Sequence, residues 1–181
     1  MESKNLIIKK TCFGDYEYFA VWETQKFITE FLSINENKSY EETVRESIIW
    51  EQDPTKLQYT IYEKELGKPI GRIYLSRVDP STDSLDITRL YIGNDEKRGK
   101  GYGEEALRLI LEYCFMNLHM ERVSIDHHTG NKIASNLFLK LGFQYEGITR
   151  NARKRNGKYH DLNLMSILRA EYFERVHSKR Y

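Results

Sequence analysis

One short segment in the second half of the chain has the composition of an anion-binding turn. It combines three glycines with two basic residues, in the order Arg98, Gly99, Lys100, Gly101, Tyr102, Gly103. Glycine lets the backbone turn tightly and approach a ligand closely, and the first turn of a helix presents free N–H groups to an anion. The segment lies between a strand-like run and a strongly amphipathic one, so it predicts a phosphate or pyrophosphate site. A glycine-softened turn without a ligand is the alternative.

Two common phosphate-binding motifs do not fit this spacing. A P-loop requires G-x-x-x-x-G-K-[ST], but Gly93 lies one residue too far from Gly99, and Gly101 takes the place of the hydroxyl residue. A dinucleotide fingerprint requires G-x-G-x-x-G, and the sixth position counted from Gly99 is Glu104. A nucleotide-binding protein that prefers ATP or NAD is therefore the least favoured interpretation.

The other chemistry-bearing side chains form weaker patterns. His127 and His128 are neighbours on a strand-like run, so they should point to opposite faces. No third ligand has metal-like spacing near them, and we expect no metal site. Cys114 falls on an apolar helical stripe and should be buried and unreactive. No hydroxyl or thiol lies in a nucleophile motif, so covalent catalysis has no support.

Composition limits the class of protein. The chain has 181 residues and a formal net charge of +1, with 28 Lys and Arg against 27 Asp and Glu. That length suits one domain with its own core, and the balanced charge argues against a general nucleic-acid or membrane-surface binder. Its two cysteines cannot form a disulfide framework, and no apolar run approaches the ~18 residues of a membrane span. We expect a single domain over residues 1–181 of a cytoplasmic protein.

The periodicity of apolar residues predicts the elements that would position the glycine segment. Strand-like runs cover residues 6–8, 57–62, 70–78, 85–92, 123–125, 143–148 and 159–168. Helical spacing covers residues 15–34, 107–118 and 133–141, and Gly142 is the C-cap of the last of these helices. A further helix begins at the capping box of Ser39 and Glu42 and extends to residue 50. Residues 169–181 resemble a fraying helix. The order βααβββαβαββ predicts an α+β fold, an α/β sandwich around a central sheet.

Two local patterns complete the expected fold. The helix at residues 133–141 should bury one apolar stripe, made of Ile133, Ala134, Leu137, Phe138 and Leu141. The basic run at residues 150–155 reads as a solvated hairpin, or less readily as a loop that docks an anion.

At this point the sequence resembles a known family, the GNAT N-acetyltransferases. The segment at 98–103 matches their [QR]-x-x-G-x-[GA] pyrophosphate loop, and the downstream helix matches N-x-x-A…K-x-G-F through Asn131, Ala134, Lys140, Gly142 and Phe143. The runs at 145–147 (Tyr-Glu-Gly) and 156–161 (Asn-Gly-Lys-Tyr-His-Asp) look like the ribosomal-protein N-terminal (Rim-type) branch, which spermidine acetyltransferases also approach. The resemblance is strong from about residue 85 to residue 147.

The resemblance implies a mostly antiparallel sheet with a splayed fourth strand and acetyl-CoA as co-substrate. The pantetheine arm would lie against Leu90, Tyr91 and Ile92, where a backbone N–H would face the thioester carbonyl. The loop made of Arg98, Gly99, Lys100, Gly101, Tyr102 and Gly103 would hold the pyrophosphate through its N–H groups. Asn131 and Asn136 would contact the pantetheine or the thioester end; the place of Asn131 before Ile133 also permits helix capping, and the two roles can coexist.

The catalytic groups are less clearly implied, because the sequence departs from the wider pattern. Phe138 occupies a position where many relatives carry a tyrosine, and phenylalanine cannot donate a proton. Ser135 matches the Rim-type serine and is the candidate acid for the leaving thiolate; a hydroxyl bonded back to its own helix is the alternative. Asp86 is the candidate base and Asp126 the runner-up, with bulk water as a substitute. Lys154 stands where the Rim-type branch has a carboxylate.

These features favour an acetyl-CoA-dependent N-acetyltransferase that acts on a primary amine, either a protein N-terminus or a small amine such as a polyamine or amino sugar. The acceptor pocket should form between residues 15–50 and the last two strands, a region that holds Tyr16, Trp22, Phe27, Glu30, Phe31, Glu36 and Tyr40. A catalytically inactive acyl-CoA-binding module is the alternative. No nucleic-acid or membrane partner is expected, and a homodimer is left open.

Overall fold

The computed structural model describes residues 1–32, 34, 38–155 and 157–178. Glu36 of the expected acceptor pocket and Asn156 of the Rim-type run lie outside the described residues. Seven strands occur in the described part of the chain: β1 (Leu6–Lys10), β2 (Leu57–Glu63), β3 (Lys68–Asp79), β4 (Ser84–Ile92), β5 (Arg122–His128), β6 (Gln144–Arg155) and β7 (Lys158–Leu168). They form one sheet in the order β1-β2-β3-β4-β5-β7-β6.

The sheet is mixed and mostly antiparallel, which confirms the predicted fold class. Only β4 and β5 run parallel, and every other neighbouring pair in the described sheet is antiparallel. Strands from both halves of the chain meet in this sheet, which supports the prediction of one domain spanning residues 1–181; that extent stays a prediction.

The helices are α1 (Tyr16–Trp22), α2 (Lys26–Thr29), α3 (Tyr40–Glu51), α4 (Tyr102–Glu112), α5 (Lys132–Leu141) and α6 (Arg169–Ser178). The single helix expected over residues 15–34 is wrong, because α1 ends at Trp22 and Gln25 has an extended backbone. The helix breaks where the Glu23 side chain turns into the sheet to meet Arg72. The capping box of Ser39 and Glu42 opens α3 as predicted, since each side chain accepts a bond from the other residue's N–H.

Both faces of the sheet carry apolar clusters, as an α/β sandwich requires. On one face, strand residues such as Ile73 and Ile87 cluster with Leu107 of α4. On the other face, Phe19 of α1 clusters with Tyr91 of β4. The sheet therefore separates two helical layers, and its central strand β4 contributes to both clusters.

The pairing of β4 with β5 stops half-way along β4, which confirms the splayed fourth strand. Ser84 to Ile87 pair with Arg122 to Ile125, and β4 then continues to Ile92 without a partner on that side among the described residues. The register with β3 shifts between Tyr74 and Leu75, so Thr88 is an extra, bulged residue. Because a bulge bends its strand, β4 diverges from β5 and leaves an open wedge.

One local prediction is wrong and one is confirmed. Ile133 is 85% exposed rather than part of a buried stripe, because it stands in the first turn of α5, beyond the sheet's apolar surface; Phe138 and Leu141 do face the core. The basic run at 150–155 forms one arm of the antiparallel β6–β7 hairpin and is mostly exposed, so the solvated hairpin is confirmed. Among the described residues, no helix has the length and apolarity needed to cross a membrane.

Candidate active site

The glycine segment forms an open cradle at the N-terminus of α4. Gly99 and Gly101 have φ angles of +71° and +86°, which favour glycine, and Gly101 is the N-cap of α4. Within the described residues, no acceptor is found for the backbone N–H groups of Gly99 through Gly103. A Cβ atom built on Gly99, Gly101 or Gly103 would meet no atom within 4 Å. These unpaired donors and the positive end of the helix dipole suit an anion.

The two basic residues of the segment differ in their contacts. The Arg98 guanidinium is paired with Asp95 and lies 3.1 Å from the centre of the Phe27 ring. Lys100 is exposed and makes no ion pair within the described part of the chain. Lys100 is therefore the side-chain charge best placed to meet a phosphate, whereas the guanidinium and the backbone N–H of Arg98 are both already bonded to Asp95.

A buried carboxylate braces the cradle from below. Glu63, at the end of β2, accepts a hydrogen bond from the Tyr102 hydroxyl, and the Lys97 ammonium lies 2.8 and 2.7 Å from its two oxygens. Hydrogen bonds from Lys97 and Tyr102 lower the pKa of Glu63, and the bond to Glu63 raises the pKa of Tyr102 to about 12. Since Lys97 precedes the glycines and Tyr102 lies among them, Glu63 fixes the loop on both sides.

Glu63→Gln is expected to weaken acetyl-CoA binding while leaving the chemistry of a bound complex intact. The glutamine side chain keeps the size but removes the charge that Lys97 and Tyr102 share, and a charge-assisted bond of about 1.5–3 kcal/mol corresponds to a rise of about tenfold or more in KM for acetyl-CoA. Steady-state kinetics would measure this against Glu65→Gln, an exposed neighbour. An unchanged KM would show that the brace does not position the loop.

The wall of the wedge is held by a buried charge network. Arg72 of β3 is fully buried and donates to Glu23 at 2.6 Å and to Gln58 at 2.7 Å. The Tyr91 hydroxyl donates to the same Glu23 oxygen at 3.0 Å, and Arg89 lies 3.4 Å from it. The Tyr91 side chain is thus committed to the face away from α4, so β4 offers the wedge its backbone.

Opposing effects set the pKa values in this network. Burial by itself would raise the pKa of Glu23, but the charges of Arg72 and Arg89 outweigh it and hold that pKa below the ordinary value. Burial and the nearby Glu23 carboxylate raise the pKa of Tyr91 well above the usual range. The carboxylate is therefore charged and the phenol neutral at pH 7.

The residues expected on α5 lie on the other side of the wedge. The Asn131 carboxamide oxygen accepts a bond from the Ala134 N–H at 3.1 Å, so the capping interpretation is confirmed and any cofactor contact of Asn131 stays a prediction. Asn136 is exposed. Ser135 is half-buried, and its hydroxyl has no hydrogen-bond partner in the described residues, so it does not bond back to its helix. Phe138 is buried against Phe143, with ring centres 5.7 Å apart.

The two aspartates considered as bases are paired with arginines. Asp86 lies before the splay, in register with Ser124, and forms an ion pair with Arg77. Asp126 lies one residue beyond Ile125, the last residue of β5 that pairs with β4, and its carboxylate is 3.8 Å from the Arg153 guanidinium. Both line a surface groove over this part of the sheet. The base role of Asp86 stays a prediction, and Asp126 is nearer to the wedge.

A cavity of about 380 Å³ opens beside the wedge. It lies between the chain segment that precedes α3 and the last two strands, where the acceptor pocket is expected. Its lining combines aromatic and charged side chains: Phe31, Leu32, Trp50, Tyr74, Thr88, Arg89, Asp126, His127, His128, Arg153 and Leu162. Of the described residues named for that pocket, only Phe31 lines this cavity; Tyr16 and Trp22 belong to the core cluster of α1.

His128 lines this cavity and pairs with His160, a contact that the sequence analysis did not predict. His128 Nε2 lies 2.8 Å from His160 Nδ1, and its own Nδ1 accepts a bond from the Gly130 N–H at 3.1 Å. Burial and the neighbouring His160 lower the pKa of His128. His127 points to the opposite face, as predicted, and is buried. The available signal was the presence of His160 in the Rim-type run, 32 residues from His128.

Cys114 lies in the core, as its place on an apolar helical stripe predicted. Burial raises the pKa of the Cys114 thiol to about 12, so the thiol is neutral and unreactive as predicted. Among the described residues, no group of three His, Cys, Asp or Glu side chains is arranged to hold a metal ion.

Comparison with known proteins identifies one family. The family model described as acetyltransferase (GNAT) domain matches residues 5–144. The chain is 30% identical over 156 residues to YdaF of Bacillus subtilis (strain 168), named as a candidate ribosomal N-acetyltransferase, and the match covers 83% of this chain and 82% of that protein. It is 29% identical over 118 residues to the N-acetyltransferase p20 of Bacillus licheniformis, a match that spans 64% of each protein.

Among solved structures, the spermidine N-acetyltransferase of Vibrio cholerae in complex with CoA and spermine has the same fold. Its TM-score is 0.86 at 20% identity, and the match covers 94% of this chain and 99% of that one.

Proposed function

Because the chain belongs to the GNAT family of acetyltransferases, we propose that it transfers the acetyl group of acetyl-CoA directly to a primary amine. The observation that carries this proposal is the cradle of unpaired N–H groups at Gly99 to Gly103, placed at the open end of the wedge between β4 and β5. A pyrophosphate and its attached arm need such an arrangement, with an anion site continuous with a cleft that leads into the sheet.

The residues fit acetyl-CoA as follows. The pyrophosphate would lie on the N–H groups of the cradle, with Lys100 beside it. The pantetheine arm would enter the wedge along the backbone of Leu90, Tyr91 and Ile92, which has no strand partner on that side among the described residues. Asn131 and Asn136 would flank the arm from α5. A wedge N–H facing the thioester oxygen would stabilise the negative charge that develops there.

The reaction needs an amine that has lost its ammonium proton and a thiolate that gains a proton. The nitrogen attacks the thioester carbon, the carbon–sulfur bond breaks, and CoA leaves. We assign protonation of the thiolate to the Ser135 hydroxyl, since it is half-buried on α5 and is not bonded to its own helix. Asp86 remains a candidate base beside Asp126 and water.

The charges of the cavity favour an acceptor with one amine over a polyamine. Among the described residues of its lining, Arg89 and Arg153 stand against the carboxylate of Asp126. A polycation would meet net positive charge there, whereas one neutral amine would not. A second cavity of about 460 Å³ shares Trp50 and Arg89 with the first, so an acceptor can extend beyond its amine. A peptide N-terminus carries one amine and continues into a chain that would occupy the second cavity. A small monoamine is the other candidate.

A non-catalytic acyl-CoA-binding module is the second candidate function. Phe138 favours it, because this buried ring has no hydroxyl to donate to the thiolate. The cradle would then bind the cofactor and the wedge would only hold it. Homodimerisation and a cytoplasmic location stay predictions in either case.

Turnover distinguishes the two functions. An assay for free CoA thiol, with acetyl-CoA and a panel of peptides, monoamines, polyamines and aminoglycosides, is expected to show amine-dependent thiol release, strongest with single-amine acceptors. Release with none of the amines, combined with a melting temperature that still rises on adding acetyl-CoA, would contradict the enzyme and support the binding module.

Ser135→Ala is expected to lower kcat by about 100-fold, the smaller end of the range for a lost general acid. KM for acetyl-CoA should not change, because the hydroxyl acts on the leaving sulfur and not on the cofactor's phosphates. Ser81→Ala, in the turn before β4, is the matched control. A normal kcat in Ser135→Ala would remove the serine from the mechanism.

A further inference from the structure

Arg89 carries a free edge on its guanidinium group. Its Nη1 atom lies 3.4 Å from the Glu23 carboxylate, whereas Nε and Nη2 have no acceptor among the described residues. Neither of these two atoms is sealed from solvent, unlike the Nε atoms of Arg72 and Arg98. Nε–H and one Nη2–H point in parallel along one edge of the planar group, and this fork binds a carboxylate through two hydrogen bonds.

The carboxylate of Glu23 is shared among several donors. It accepts a bond of 2.6 Å from Arg72 and one of 3.0 Å from the Tyr91 hydroxyl, so Arg89 is the most distant of these donors. Two guanidinium groups and one carboxylate leave an excess of one positive charge. Because the Arg89 side chain is only 12% exposed, water offsets this charge incompletely, and an anion bound beside it would be stabilised.

The carboxylates that line the two cavities do not neutralise Arg89. Each of them in the described linings has another partner: Asp126 faces Arg153 at 3.8 Å, Glu46 pairs with Lys38, and Glu42 accepts a bond from the Ser39 N–H. The described part of the protein therefore supplies no further counter-ion for Arg89. An anion that occupies its free edge would come from a ligand.

The position of Arg89 suits contact with the acceptor. It lines both the cavity of about 380 Å³ assigned to the acceptor amine and the second cavity of about 460 Å³. Its guanidinium carbon lies 5.0 Å from the centre of the Trp50 ring, which also lines both cavities, so the charged group is held at their junction. Leu90, the next residue of β4, begins the stretch proposed to hold the pantetheine arm. A group bound by Arg89 would therefore lie near the reacting amine.

We propose that Arg89 binds a carboxylate of the acceptor, and that the substrates of this protein are amines that carry a carboxylate within a few bonds of the amine nitrogen. This rests on the proposed acetyl transfer. A peptide N-terminus with an acidic side chain in its first residues has this chemistry, and so does a free amino acid. The two cavities together favour the peptide, since its chain would continue past Arg89 into the second cavity.

Matched acceptors test the proposal on the wild-type protein. Peptides with an amidated C-terminus would carry aspartate at the first, second or third position, each beside the same peptide with asparagine, which keeps the shape but removes the charge. A free amino acid would be compared with its amide in the same way. We expect kcat/KM to favour the acid over the amide by about tenfold or more in at least one pair, the value of charge-assisted hydrogen bonds. A preference confined to the free amino acid would support the carboxylate site and assign amino acids to it.

Arg89→Gln shows whether this preference comes from Arg89. The ratio of kcat/KM for acid over amide should fall to about one, because glutamine has neither the charge nor the fork. Arg89→Lys keeps the charge without the fork and should retain part of the ratio. A general loss of activity cancels in this ratio, since both acceptors are measured on the same variant. Arg150→Gln, an exposed arginine of β6 outside the described cavity linings, is the control and should keep the wild-type ratio.

Equal kcat/KM values for the acid and the amide in every pair would overturn the proposal. So would an acid preference that Arg89→Gln retains, because another group would then bind the carboxylate. Failure of the proposed function is distinguishable from both, since wild-type protein would then release no thiol with any acceptor. In that case calorimetric titration of the CoA complex with the acid and the amide acceptors would still measure the carboxylate preference and its dependence on Arg89.

Discussion

Gly101→Glu is expected to abolish acetyl-CoA binding and turnover. A side chain at Gly101 would project into the space that the cradle leaves open, where a Cβ meets nothing within 4 Å. Its carboxylate would stand where the phosphates must lie, so it would compete for the unpaired N–H groups and repel the ligand. We expect the rise in melting temperature with acetyl-CoA to disappear, and kcat/KM to fall by about 1,000-fold or more, the loss expected if ~4 kcal/mol of phosphate binding is removed.

Gly67→Glu separates this effect from backbone strain. Gly67, in the turn before β3, has a φ of +64° and also has no atom within 4 Å of an added Cβ. Both variants therefore bear the same strain of about 1–2 kcal/mol for a left-handed residue and the same added charge. They should melt a few degrees below wild type, but only Gly101→Glu should lose cofactor binding. Normal binding by Gly101→Glu would contradict the assignment of the cradle.

Arg72→Met is expected to destabilise the fold by about 3–5 kcal/mol, the cost of removing one partner of a buried ion pair. The change leaves the buried Glu23 carboxylate with Arg89 at 3.4 Å and the Tyr91 hydroxyl at 3.0 Å as its remaining partners. Gln58 also loses its charged donor. For a chain of this length, the loss should lower the melting temperature by on the order of 10 °C.

The effect of Arg72→Met should depend on pH in a stated direction. In the wild type the pKa of Glu23 is lowered from 4.5, so the pair stabilises the fold above that pH and the stabilisation is lost as the pH falls through the folded-state pKa. In the variant, the charge of Arg72 no longer offsets the burial of Glu23, so protonation of Glu23 removes a buried charge. The difference in unfolding free energy should therefore be largest near pH 7 and narrow on acidification, as urea titrations at several pH values would show.

Two variants make this result interpretable. Arg108→Met removes a partly exposed arginine that pairs with Glu104, and it should cost at most about 1 kcal/mol. The double variant Arg72→Met with Glu23→Gln should recover part of the lost stability, because no unpaired charge stays buried. The role of the pair would be contradicted if Arg72→Met were as stable as wild type. It would also be contradicted if the difference in unfolding free energy between the two proteins widened on acidification.

Features that depend on neighbouring residues were predictable from the sequence. The glycine cradle, the capping box at Ser39 and the left-handed Gly142 that ends α5 each rest on a few consecutive residues whose backbone preferences are local. Strand positions were predictable for the same reason, since alternation along each run is a local pattern.

Features that depend on distant residues were not predictable. Glu23 and Arg72 are 49 residues apart, and their pairing breaks the expected first helix and holds the wall of the wedge. Ile133 has an apolar side chain at helical spacing, yet no surface of the sheet reaches it. His127 carries no signal in its own neighbourhood; its burial follows from the packing of Phe138 of α5 against its ring.

The sequence by itself therefore determined the fold class and the glycine cradle, because these follow from short-range backbone preferences and apolar periodicity, and its motifs indicated the family by resemblance. Only the tertiary structure decided which side chains meet around the wedge, since packing across the sheet brings together residues that no spacing connects. It buried the Arg72–Glu23 pair, tied Asp86 to Arg77 and left the Nε2 atom of His127 without a hydrogen bond to any described residue.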